Sequence, residues 1–149
     1  MAAAEPLVLR LSLRSRVEAF RGSGAWEEVQ VPWRAPISQT ALVICDMWDN
    51  HWCKGAASRV EVLARKAAPV IELARERGML IIHAPSDTMS FYEGTPQRLT
   101  ASSAPQAEPP PALTLVDPPL PIDDRDGGCD TPGDKQFKAW SRQHATIRI

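Results

Sequence analysis

No stretch of this 149-residue chain approaches the roughly 18 uninterrupted apolar residues that a membrane-spanning helix needs, so neither a transmembrane role nor a membrane partner is expected. Charge of one sign is also missing: 17 basic residues against 18 acidic ones leave a net charge of -1. Without a basic field to neutralise phosphates, a nucleic-acid partner is not expected. Cysteine is scarce and odd in number. Cys45, Cys53 and Cys129 form no CxxC and no Cys/His cluster of zinc spacing, which argues against a structural zinc. The first apolar stretch, Pro6 to Leu13, is broken by Arg10 and followed by Arg14 and Arg16, unlike a secretory leader. A reducing, cytoplasmic setting is the expectation. There is no GxGxxG or GxxxxGK[ST] after an apolar run and no GxSxG elbow, and an Asp-x-Asp phosphoryl motif fails because position 48 is Trp. No cofactor is expected, and no internal repeat or heptad offers a solenoid or coiled coil.

Present instead is an ordinary globular composition, 44% apolar and 23% charged, enough for one domain. Proline is unevenly spread: nine of the fourteen lie between Pro96 and Pro132. Leu7, Leu9, Leu11 and Leu13 alternate with partly polar positions, and Trp26 to Val31 forms a second strand-like stretch closed by Pro32. Residues 1–37 therefore read as an N-terminal strand pair, and residues 38–149 as an α/β unit with a Pro-rich excursion over 95–134.

Ala41 to Cys45 is apolar throughout and ends at Asp46, the pattern of a parallel strand covered on both faces. Ser58 and Glu61 have the spacing of a capping box, so a helix is predicted to begin there. Val60, Leu63, Ala64, Ala67, Ile71 and Ala74 form its stripe, Pro69 should kink or split it, and Gly78 should stop it. Met79 to His83 then supplies a second buried strand, completing a βαβ unit. The prolines of the excursion exclude central strand and helix interior. Phe137 to Gln143 suggests a short helical turn, and Ile147 to Ile149 an incoming strand. Two parallel strands and one helix do not cover both faces of a sheet. The fold expected is thus the N-terminal part of a doubly wound, three-layer αβα domain, either truncated or completed by a partner, with self-association a further expectation.

Open α/β sheets place ligands outside the carboxyl ends of their strands, which makes Asp46 the first candidate for chemistry, as base, nucleophile or metal ligand. Trp48 and Trp52 flank His51 next to Asp46 and suit a flat amide or ring substrate, or simply fill the gap before the helix. Asn50 belongs to the same loop, and His83 ends the second strand. Asp49 and His51 read as a solvated loop pair, and His83 with Asp87, four apart around Pro85, makes no metal site. Cys45 reads as core, Cys53 as a small packing residue and Cys129 as part of an exposed loop.

The stretch from Ala41 through Cys45-Asp46-Met47-Trp48-Asp49-Asn50, then a helix, then Gly78 to Ser86, resembles the isochorismatase-like cysteine hydrolases, the superfamily of nicotinamidases and N-carbamoylsarcosine amidases. The resemblance covers residues 38–90, with Lys138 to Gln143 as a further region. It implies that Asp46 is the general base of an Asp/Lys/Cys mechanism that hydrolyses a C–N bond in a small molecule, with Trp48, Asn50, Trp52 and His83 bordering the pocket. The family's nucleophile follows a later strand, and nothing in this chain matches it; Lys135 and Lys138 precede the place where its lysine would lie. On that reading the chain carries the base and part of the pocket and is inactive by itself. The competing reading is a non-catalytic interaction or regulatory module that uses the Pro-rich segment as its contact surface.

Overall fold

The computed structural model describes residues 7–114, 129–131, 133 and 135–149. It is a mixed α/β arrangement in two parts. The first is an antiparallel hairpin of β1 (Val8–Glu18) and β2 (Trp26–Pro36), paired from Val8 opposite Pro36 to Glu18 opposite Trp26. Alternation places Leu9, Leu11 and Leu13 opposite Ala35, Trp33 and Val31 on one face, and Arg10 and Arg14 opposite Arg34 and Gln30 on the other. The Glu18 carboxylate closes the turn by accepting the N–H groups of Gly22 and Gly24. β2 runs through Pro32 rather than stopping there, because a two-stranded sheet has only edges and an edge strand tolerates the missing donor.

The second part holds β3 (Ala41–Cys45), α1 (Lys54–Glu76) and β4 (Leu80–Ala84), with β3 and β4 parallel and Ala41 opposite Leu80. The predicted βαβ elements are therefore present. Ile44, Ala64, Ile71 and Ile147 form the buried core, with Leu42, Met47, Ala67 and Ile81 packed around it. Among the described residues only this face of the sheet is covered. On the other, Val43 is 53% and Leu80 62% exposed, with Ile82 and Cys45 exposed beside them. The apolar run of β3 thus does not mark burial on both faces, no three-layer sheet is present among the described residues, and Cys45 is not core.

α1 starts at Lys54, four residues before the predicted Ser58, and runs on through Pro69 without a break. Its early donors are met from afar: Gly55 N–H donates to Thr131 Oγ1 at 3.0 Å. Glu61 caps nothing and instead bonds Arg65 and His144. The C-terminus follows expectation. Gly78 has φ +81, its N–H donates to Arg75 O, and Met79 N–H donates to Ala74 O, the two bonds of a Schellman cap.

Two further corrections concern the excursion and the C-terminal residues. α2 (Pro96–Ser102) forms inside the Pro-rich stretch because Pro96 occupies the first helical position and Thr95 Oγ1 accepts Arg98 N–H at 3.3 Å. Residues 137–143 contain no helical turn and residues 147–149 no strand. The segment is extended and irregular, fixed by long-range bonds: Asp49 N–H to Arg142 O, His144 N–H to Met47 O, Gln143 N–H to Tyr92 Oη, the Arg75 guanidinium to Arg148 O, and Arg148 to Glu72. Ile147 enters the core as a plug. Part of the proline-dense excursion, residues 115–128 with 132 and 134, lies outside the described residues. No helix among them is long and apolar enough to cross a membrane.

Candidate functional site

β3 ends by turning sharply at Asp46, whose φ of +49 lies in the left-handed region that Asp tolerates better than branched residues do. Its N–H still donates to Ala84 O at 3.2 Å, continuing the ladder with β4. The side chain crosses the same gap: Asp46 Oδ1 accepts Ser86 N–H at 2.9 Å. The carboxylate is thereby held at the carboxyl ends of both parallel strands. Trp48 is fastened to the same loop, its Nε1–H donating to Ser86 O at 3.1 Å.

Around this point the structure assembles an aromatic stack. Trp48 and Trp140 lie 4.2 Å apart between ring centroids at 15°, His51 stacks on Trp140 at 5.6 Å, and Trp52 tilts against His51 at 5.1 Å. His51 is oriented by Cys53 N–H, which donates to its Nδ1 at 3.1 Å. Asp49 supplies the other side of the stack by fixing the chain next to Trp140. It accepts Ser141 N–H at 2.9 Å, the Ser141 hydroxyl at 2.7 Å and Arg142 N–H at 3.3 Å. Partial burial alone would raise the Asp49 pKa, but these donors outweigh it and hold the carboxyl below its ordinary value. The Trp140 indole N–H is buried with no partner among the described residues.

Of the sequence-predicted residues, Asp46, Trp48 and Trp52 are thus brought to one place. Asn50 is turned into its own loop, where Oδ1 accepts His51 N–H at 2.9 Å. His83 is linked to the Trp48 loop through Gln143, which forms an isolated antiparallel bridge with Trp48. The His83 Nδ1 bonds Gln143 Oε1 at 2.9 Å, and the ring lines a groove of about 420 Å³ between β4 and α2, with Ile81, Pro85, Tyr92, Arg98 and Ile149. Asp49 and His51 do not form a pair, since each has its own partners. Trp140 and Ser141 are the residues that sequence reasoning did not assign; the contrast between an aromatic and the polar Ser141-Arg142-Gln143 after it was the only local cue. Lys138 Nζ donates to Asp87 O at 2.6 Å, one residue beyond the Ser86 that holds Asp46.

A second cluster lies at the start of α1. The sulfurs of Cys53 and Cys129 are bonded across 76 residues, with their Cα atoms 5.7 Å apart. Neither the packing role read for Cys53 nor the exposed loop read for Cys129 describes this pairing, which sequence spacing does not disclose. Asp130 accompanies it, ion-paired to Arg59.

No protein-family model matches this chain, and neither curated proteins nor solved structures include a similar one.

Proposed function

We propose that residues 38–149 carry the acid/base half of a hydrolase site of the isochorismatase-like type, acting on the C–N bond of a small, flat amide. The observation supporting this most is the Asp46 carboxylate, pinned by Ser86 N–H at the ends of two parallel strands and set beside the Trp48–Trp140–His51 stack. In such a site Asp46 accepts the proton of an attacking nucleophile and later returns it to the departing amine, while the rings, stacked on one another, offer an outer face as a flat wall for the planar substrate. Lys138, tethered one residue beyond Ser86, and Arg142, paired with Asp49, are cations close to this loop. Among the described residues no thiol is free to attack there, because Cys53 and Cys129 are bonded and Cys45 lies exposed on the sheet. The chain therefore binds without turning over. In the same reading, the bare face with Val43, Leu80 and Ile82 is where a second helical layer packs in a doubly wound, three-layer domain.

Titration of tryptophan fluorescence with a panel of aliphatic and heteroaromatic carboxamides tests the proposal. The expected result is saturable quenching that Trp48→Ala abolishes, with no ammonia released. An unchanged spectrum across the panel overturns the amide assignment. Thiol-sensitive ammonia release overturns the absence of a nucleophile.

A further inference from the structure

Cys53 occupies the N-cap of the 23-residue helix α1 and is only 1% exposed. The chain returns there 76 residues later with Cys129, Asp130 and Thr131. The two oxygens of Asp130 are divided between partners: Oδ1 lies 3.5 Å from Cys53 Sγ, while Oδ2 is held by Arg59. Thr131 N–H donates to Cys129 Sγ at 3.4 Å. The Thr131 hydroxyl accepts Gly55 N–H at 3.0 Å and sits 3.9 Å from Cys53 Sγ, where its own proton is free to point at sulfur. Gly55 makes room for all this, since a Cβ there would collide with the Asp130 carboxylate.

Three of these features favour sulfur as thiolate, a helix N-terminus, a backbone N–H and a hydroxyl directed at it, while the Asp130 carboxylate and the burial of Cys53 oppose it until a cation is bound. Two sulfurs and one carboxylate oxygen lie within 4.8 Å of one another. Donors around a tetrahedral zinc, with Zn–S near 2.3 Å and Zn–O near 2.1 Å, stand about 3.5 to 3.8 Å apart, within reach of small side-chain rotations.

We propose that Cys53 and Cys129, when reduced, form with Asp130 a binding site for a thiophilic divalent metal ion of the zinc type. This proposal is independent of the amide-site reading. Two thiolates and a carboxylate carry three negative charges; the dication and Arg59 cancel them. Arg59, on the oxygen that does not face sulfur, orients the carboxylate in the way an outer-sphere partner does. The sulfur pair selects against calcium and magnesium, which take oxygen donors. Among the described residues three protein donors converge, leaving the fourth tetrahedral position for water.

Metal and disulfide exclude each other at these sulfurs. When a small-molecule disulfide oxidises the loaded site, the two thiolates join as the Cys53–Cys129 bond and give up two electrons. The oxidant takes them, with two protons from solvent, and leaves as two thiols while the metal departs hydrated.

Cobalt titration of the phosphine-reduced full chain, without oxygen, provides the test. The expected result is a near-ultraviolet sulfur-to-cobalt charge-transfer band that saturates at one equivalent, is bleached by zinc, and disappears when a small-molecule disulfide restores the Cys53–Cys129 bond. Cys45→Ser keeps the band and Cys129→Ser loses it. Asp130→Asn retains both thiols and still forms the disulfide, which reports its folding, and should bind cobalt at least ten-fold more weakly. Arg59→Gln should weaken binding about 10- to 100-fold. No band in the reduced chain, a band surviving in Cys129→Ser, or unaltered affinity in Asp130→Asn each overturns the proposal.

Discussion

Two aspartates three positions apart do different work. Asp46 stands in the left-handed region with one oxygen on Ser86 N–H, so its backbone and its carboxylate can be tested apart. Asp46→Asn keeps an acceptor and a residue type tolerant of that φ, and should unfold within about 0.5 kcal/mol of the parent. Asp46→Val should lose roughly 1–3 kcal/mol through backbone strain; thermal unfolding of the pair measures the difference. Asp49 gathers three donors from Ser141 and Arg142. Asp49→Ala removes these bonds at an exposed seam where water can replace them, and should cost about 1 kcal/mol, with Trp140 emission shifting to the red as the stack opens. Asp46 was legible in the sequence because its position depends on one strand and where that strand stops. Trp140 was not, because its place depends on a bond between Asp49 and a residue 92 positions away.

At the scale of elements, the two ends of α1 show where local reading succeeds. The C-terminal stop needs only Gly78 and its immediate neighbours, and it appears as the spacing implied. Gly78→Ala, forcing a Cβ to φ +81, should destabilise by roughly 1 kcal/mol in chemical denaturation. The N-terminal start was misplaced because Thr131 and Asp130 meet the helix there from across the chain, and Ser58 and Glu61 imitated a cap that is not used. The same helix anchors the C-terminal segment through carboxylates. Arg148 and Arg75 hydrogen-bond Glu72 and lower its pKa to about 2 from an ordinary 4.5, while His144 and Arg65 pull Glu61 down as well. Groups whose folded pKa is depressed contribute fully above their unfolded value and lose that contribution as pH falls through the folded one. Docking of residues 141–149 should therefore be constant above about pH 5 and weaken between roughly pH 4.5 and 2. Hydrogen exchange at Ile147 N–H across that range reports it, and Glu72→Gln should flatten the part of the profile that belongs to Glu72.

For the whole molecule, the feature that matters most is an apolar sheet face that no described residue covers. The alternation of the hairpin and the strand–helix–strand order were visible in the sequence, since both are periodic patterns. Burial on both faces of β3 was not decidable there: an uninterrupted apolar run describes what a strand could bury, whereas Val43 and Leu80 show what this chain does bury. The chain should accordingly bind a hydrophobic dye and associate with rising concentration. The double variant Val43→Lys and Ile82→Lys should lower both dye binding and association. Its folding stability should change little, since neither side chain lies in the core of Ile44, Ala64, Ile71 and Ile147.

The bond between Cys53 and Cys129 also makes the covalent chain a lasso. Everything from α1 through β4 and α2 lies inside one closed ring of backbone, with only the hairpin, β3 and the C-terminal plug as tails. A single cut at Glu108 would then open the ring without releasing a fragment. Electrophoresis would show one species until a reductant is added and two afterwards, whereas reduction of the uncut chain would return to its unfolded state a loop entropy worth about 4.5 kcal/mol.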